Sequence, residues 1–206
     1  NIAKAQTFSN TVQEELLSNL VSEWTFDNAL NIGEDTWGNN NGTVNGNPQI
    51  DTKCVFNKCL KFDGDGDYVT VTTSEGDQLD FRNSMTFSLW INPVSSGLYI
   101  FCKNISGGYE DQQYAATFES NALRFVLSGN GDLLSSPNSA PYNKWTFMVG
   151  TWDGSRRQIY INGQKNNGDN FSTTPSFKQN FTIGFRAGGA SSHDFNGTID
   201  DIRLYN

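Results

Sequence analysis

Two periods of hydrophobic residues divide the chain near residue 20. Before it, Ile2, Ala5, Phe8, Val12, Leu16 and Leu20 recur every three or four positions, with Lys4, Gln6, Gln13, Glu14 and Glu15 between them. That spacing gathers the apolar side chains on one stripe and predicts an amphipathic α-helix over residues 1–20. After it come short runs rich in β-branched and aromatic residues: LVSEWTF, CLKFDG, DYVTVTT, MTFSLWINP, LYIFCKN, YAATFE, ALRFVLSG, KWTFMVGTWD, RQIYING, FTIGFRA and IDDIRLYN. Clusters of Gly, Asn, Asp and Ser part them, as turns between strands require. Several runs alternate: Thr86, Ser88 and Trp90 fall on one face, and Phe87, Leu89 and Ile91 on the other. This is the pattern of an antiparallel strand with one packed and one less buried side. TWDGSRRQIYINGQK reads as successive hairpins, with Asn162-Gly163 in a tight turn that needs positive φ. The expected fold is all-β, two antiparallel sheets packed as a sandwich over residues 21–206, with a short N-terminal helix.

Composition agrees with that reading. Of 206 residues 36% are hydrophobic and 17% charged, with 20 Gly and 15 Phe, a balance of short strands and turns. The length suits one sandwich plus an appendage. A net charge of −8 with 14 scattered Lys and Arg argues against nucleic acid, which needs clustered cations. No apolar stretch of about 18 residues occurs, so no membrane-spanning helix is expected. Cys54 and Cys59, in KCVFNKC, are close enough for a disulfide closing a tight loop and too few for a zinc site, two unpaired thiols being the alternative. Cys102, inside LYIFCKN, reads as a small core residue.

Four ordered segments resemble the laminin G-like, concanavalin A-like jelly-roll domains: EWTFDN with DTWGNNNGTVNG; CLKFDGDGDYVTV; FSLWINP; and KWTFMVGTWDGSRRQIYINGQ with FNGTIDDIRLYN. The resemblance covers residues 21–206 and implies a jelly-roll sandwich. It also implies a structural calcium held by oxygen ligands at Asp27, Asp35, Asn41, Asp200 and Asp201. The adjacent carboxylates of Asp200 and Asp201 would repel one another without a cation or a cationic side chain, unless alternation sends one of them to solvent. IAKAQTFSNTVQEELLSNLVSEWTFD resembles the join between a type IV pilin-like helix and such a head. That likeness implies an upstream hydrophobic segment and self-assembly with pilin-like subunits. The alternative is a helix that simply packs its stripe on the sandwich.

Candidate chemistry is that of binding. DGDGD at 63–67 resembles half of an EF-hand loop, but lacks the closing Glu and reads as a turn. Exposed rings and planar polar groups that would suit a glycan are Trp37, Tyr99, Tyr109, Tyr114, Tyr142 and Arg186. The polar loops NISGGYEDQQY and RAGGASSHD are placed to form a rim, or are two solvated hairpin loops. Trp24, Trp90, Trp145 and Trp152 lie in strand runs and are expected to pack in the core. The single histidine, His193, the lack of a G-x-S-x-G elbow and the lack of paired carboxylates along one strand argue against hydrolysis. Sequons at Asn41, Asn104, Asn170, Asn180 and Asn196 are expected by chance in a chain so rich in Asn, Ser and Thr. The sequence thus reads as an extracellular or cell-surface module, not an enzyme, that binds carbohydrate or another surface ligand. The competing readings are a purely structural filament or envelope subunit and, remotely, a glycoside hydrolase or lyase.

Overall fold

The computed structural model describes residues 17–96, 98–104, 112–128, 132–186 and 193–206. Among these, fifteen strands, all paired antiparallel, form two sheets. The eight-stranded sheet runs β13 (Gln164–Asn170), β12 (Arg156–Ile161), β11 (Thr146–Trp152), β6 (Met85–Pro93), β15 (Asn196–Tyr205), β4 (Cys59–Asp63) and β3 (Gln49–Asp51). Its eighth strand, β1 (Leu20–Trp24), pairs with the second half of β15 where β4 has ended. The seven-stranded sheet runs β10 (Asp132–Leu134), β9 (Ala122–Leu127), β8 (Gln112–Glu119), β7 (Leu98–Asn104), β14 (Phe181–Ile183), β5 (Tyr68–Val71) and β2 (Thr43–Asn45).

Alternation builds the core. Phe87, Leu89 and Ile91 of β6 and Met148 and Trp152 of β11 point inward and meet Phe101, Phe125 and Phe181 from the other sheet. Trp24 stacks on Phe181 at 5.3 Å between centroids, and Phe87 sets its edge against Phe101 and Phe125, both at 5.0 Å. Such edge and stacked contacts add to area burial. Gly150 faces Phe87 directly, and a Cβ there would collide with its ring. The Asn162-Gly163 turn has φ of 51° and 79°, as its sequence requires. DGDGD is the turn from β4 to β5, with Asp67 buried and accepting from the amides of Asn47 at 2.7 Å and Asp63 at 3.2 Å.

Three expectations change. The helix expected over residues 1–20 lies outside the described residues up to position 16; Leu17 and Ser18 have helical backbone and Leu20 already opens β1, buried against the last strand. Trp90 and Trp145 are not core residues. Trp90 alternates with Phe87, Leu89 and Ile91 and therefore points outward, half-buried, while Trp145 is half-buried and donates from Nε1 to the Lys53 carbonyl. Finally, β15 breaks register between Asp200 and Arg203, with Asp201 at φ 53°. The extra residue returns both Ile199 and Ile202 to the core and turns Asp200 and Asp201 together to the outer side.

Candidate functional site

The outward face of the seven-stranded sheet is itself buried. Its floor is made of Cys102, Ala115 and Val126, with the Tyr99 ring at one end. Tyr99 stands opposite Thr117 in the β7–β8 register, and its hydroxyl accepts from Gln112 Nε2 at 2.7 Å. The Arg186 guanidinium lies over its ring at 5.5 Å, and the His193 ring is 6.1 Å away. Burial pushes the phenol of Tyr99 upward, as does the Cys102 sulfur, while hydrogen bonds from Gln112 and Arg186 work the other way. Around this ring, Gln112 Oε1, Thr117 Oγ1 and Arg186 Nε are buried atoms without a hydrogen-bond partner among the described residues. A buried polar atom left in this state costs about 1–3 kcal/mol, so the cluster holds unused capacity for donors and acceptors.

Of the rings expected to bind, the structure brings Tyr99 and Arg186 together and separates the others. Tyr114 does not form an exposed platform. It faces inward from β8, fully buried, and its hydroxyl donates to the Leu79 carbonyl at 3.0 Å. Tyr142 is half-buried and sets its ring against Phe118 of the core. Trp37 is 48% exposed, but it lines a different hollow with Leu20, Val21 and Gln78. Tyr109 lies outside the described residues, as do most of the two rim loops. Gln112 and Thr117 carry no signal in the sequence; QQYAATF has too few alternations to show which polar side chains it buries.

The five positions expected for calcium fall in two places. Asp35 organises the loop after β1: its Oδ1 accepts from the amides of Glu23, Trp37 and Gly38, and its Oδ2 from that of Asn40. Asn41 closes the same loop by accepting from the Asp35 amide at 2.9 Å. Asp27, Asp200 and Asp201 gather elsewhere, around the Cys54–Cys59 loop. Asp200 Oδ2 accepts from the amides of Val55 and Phe56 at 3.2 and 3.1 Å, and Asp27 accepts from Lys58 N at 2.9 Å and Asn57 Nδ2 at 3.1 Å. Asp201 faces Arg203 at 3.3 Å, whose Nε donates to Glu23 Oε1 at 2.6 Å. Burial first, then the neighbouring Asp201 and Asp27 charges, push the Asp200 carboxyl up to about 6, against the two amides that favour its charged form. Asp201 moves up for the same primary reason. Each of these five side chains has at least one oxygen engaged by a donor of the chain itself, and among the described residues no three His, Cys, Asp or Glu side chains are grouped to hold a metal ion.

A second hollow, of about 510 Å³, opens on the outward face of the eight-stranded sheet. Trp90 and Phe147, paired across β6 and β11, pack ring to ring at 4.9 Å, and Phe56 of the disulfide loop stands beside them, 51% exposed. Thr25, Asp27, Asn57, Asp201 and Arg203 complete the lining. The alternation of β6 already places Trp90 on the less buried face; the long-range register is needed to bring Phe147 and Phe56 to it.

Among solved structures the chain is similar to domain 4 of AbnA, a GH43 extracellular arabinanase from Geobacillus stearothermophilus (TM-score 0.68, 19% identity, 91% of this chain and 92% of that one). It is also similar to the binding domain of botulinum neurotoxin DC (TM-score 0.65, 24% identity) and to the ligand-binding domain of botulinum neurotoxin serotype D (TM-score 0.69, 14% identity). In both cases 92% of this chain covers only 48% of the toxin chain, about half its length. At these identities the likeness speaks to the fold. Compared by sequence with curated proteins, the chain matches none. The family model that describes the concanavalin A-like lectin/glucanases superfamily, of laminin G type, matches residues 63–206, well over half the chain. Fold, register and sequence match agree, and the chain belongs to the concanavalin A-like lectin/glucanases superfamily.

Proposed function

We propose that this chain is a non-catalytic module, secreted or displayed at a cell surface, that binds carbohydrate at the Tyr99–Arg186 cluster on the outward face of the seven-stranded sheet. The observation that carries the reading is the group of buried atoms around one ring that have no partner among the described residues: Gln112 Oε1, Thr117 Oγ1 and Arg186 Nε. Sugar hydroxyls both donate and accept, so they can satisfy an amide oxygen, a hydroxyl and a guanidinium at once, while an aromatic ring offers a flat apolar partner. Arg186 adds a positive charge that suits an acidic sugar. Similar folds support the class of ligand. The arabinanase domain was solved with arabinotriose and the serotype D toxin domain with N-acetylneuraminic acid. The neurotoxin DC domain, solved with rat synaptotagmin II, keeps a protein receptor in view as the second reading. The Cys54–Cys59 disulfide, S–S 2.01 Å, belongs to an oxidising compartment, as export requires.

The test is an array carrying neutral and sialylated glycans together with cell-surface proteins, probed with the wild-type chain and with Arg186→Ala. Glycan binding that falls about tenfold or more in the variant supports the site. Binding to no glycan, or no glycan whose binding Arg186→Ala weakens, overturns it, and selective capture of a protein favours the second reading.

A further inference from the structure

We infer that the eight-stranded sheet carries a separate binding site for an uncharged sugar, in the hollow formed by Phe56, Trp90 and Phe147 with the carboxylates of Asp27 and Asp201. It lies on the other sheet from the Tyr99 cluster and does not depend on that cluster being a site.

The first reason is how the chain holds Phe56. A phenylalanine 51% exposed gains little from folding, yet its loop is fixed on every side. The Cys54–Cys59 disulfide closes it. Asp200 receives the amides of Val55 and Phe56 from the far end of the sequence, and Asp27 receives Asn57 and Lys58. Trp145 Nε1 donates to the Lys53 carbonyl at 3.2 Å on the approach to the loop. A loop fixed before binding loses little conformational entropy when a ligand arrives.

The second reason is the chemistry of the lining. Trp90 and Phe147 are half-buried, held against each other at 4.9 Å, and line the hollow beside Phe56. Flat apolar faces of this kind match the C–H faces of a sugar ring. Carboxylates at the rim accept hydrogen bonds from hydroxyls, and Arg203, held by Glu23 and Asp201, is already neutralised by its partners. Two carboxylates against one paired cation disfavour an anionic ligand, which separates this hollow from the arginine-bearing cluster on the other sheet. Its volume of about 510 Å³ falls among small-ligand sites, roughly 300–1,000 Å³. Three rings make a spot well short of the roughly 800 Å² that each partner buries in a stable protein–protein interface.

The experiment titrates the folded chain by calorimetry, in buffer containing EDTA, with arabinotriose, xylotetraose, cellotetraose, mannotetraose and 3′-sialyllactose. Wild type is compared with Trp90→Ala, Phe56→Ala and Arg186→Ala. Phe56→Ala guards against a Trp90 variant that merely misfolds, because the exposed ring supports no core contact. The expected result is that at least one uncharged oligosaccharide binds, weakens about tenfold or more in Trp90→Ala and in Phe56→Ala, and is unaffected by Arg186→Ala. Binding lost only in Arg186→Ala overturns this inference and leaves the Tyr99–Arg186 reading standing. Sialyllactose binding that depends on Trp90 overturns the assignment to an uncharged ligand. Failure of all the uncharged sugars to bind overturns it outright.

Discussion

The outward faces of the two sheets are built on opposite terms. On the seven-stranded sheet, β8 is buried along nearly its whole length, from Gln112 to Phe118, because the sheet is covered on both sides. Its outer floor is small, Cys102, Ala115 and Val126, and its polar atoms are shut away from water around Tyr99. On the eight-stranded sheet, β6 and β11 alternate between buried and half-buried positions, and the outer face leaves Trp90 and Phe147 open beside a pinned loop. The first face stores unmet hydrogen bonds under cover, and the second presents rings in a preformed hollow. The two outer faces therefore differ in chemistry, one polar and cationic, one aromatic and acidic.

That contrast breaks most sharply under truncation. Tyr99→Ala removes a buried ring and its hydrogen bond to Gln112, and is expected to cost about 3 kcal/mol or more in urea unfolding. Trp90→Ala removes a half-buried outer ring and should cost about 1 kcal/mol. Equal losses would mean that the two faces are not differently covered. Reducing the Cys54–Cys59 bridge frees a short loop and should lower stability by about 2 kcal/mol on chain entropy. The same reduction should weaken ligands of the Phe56 hollow while leaving those of the Tyr99 cluster untouched, which calorimetry with and without a reductant can separate.

Acidity sharpens the comparison further, because the raised carboxyls of Asp200 and Asp201 lie on the eight-stranded side. The folded chain holds the Asp200 proton up to about pH 6, whereas the unfolded chain releases it near its ordinary value of 3.8. The unfolded state therefore binds fewer protons in between. The contribution of Asp200 is fully present below pH 3.8 and is lost as pH rises through about 6. Asp200→Asn should flatten that decline in a series of urea unfolding curves across this window; an unchanged slope would show that Asp200 is ionised normally. The smallest expected effect is that of calcium. With Asp35 occupied by four amides and Asp201 by Arg203, melting with calcium and with chelator should coincide. A calcium-dependent rise would assign Asp27, Asp200 and Asp201 as ligands.

Much of the fold is legible in the sequence because alternation and turn chemistry act locally. The split of β6 into Phe87, Leu89 and Ile91 against Thr86, Ser88 and Trp90 is visible in seven residues, and Asn162-Gly163 announces its turn. The size of Trp90 suggests the core while its phase in β6 points outward, and the phase decides. The sites are harder because they depend on register between distant strands. Phe56, Trp90 and Phe147 are far apart in sequence and meet only through the pairing of β11 with β6 and the capture of a loop by Asp200. Tyr114 and Tyr99 carry similar local sequence signals, yet one faces the core and the other the outer floor. The β15 bulge that turns both Asp200 and Asp201 outward leaves no mark in a sequence read by simple alternation.

The most direct test of the central claim is amide hydrogen exchange on the wild-type chain, with and without the array glycan whose binding Arg186→Ala weakens most. The account predicts added protection in β8 and β14 and at residues leading to Arg186, the backbone that carries the Tyr99 cluster. A glycan that binds while those amides exchange unchanged, or an array on which no glycan binds, would contradict it.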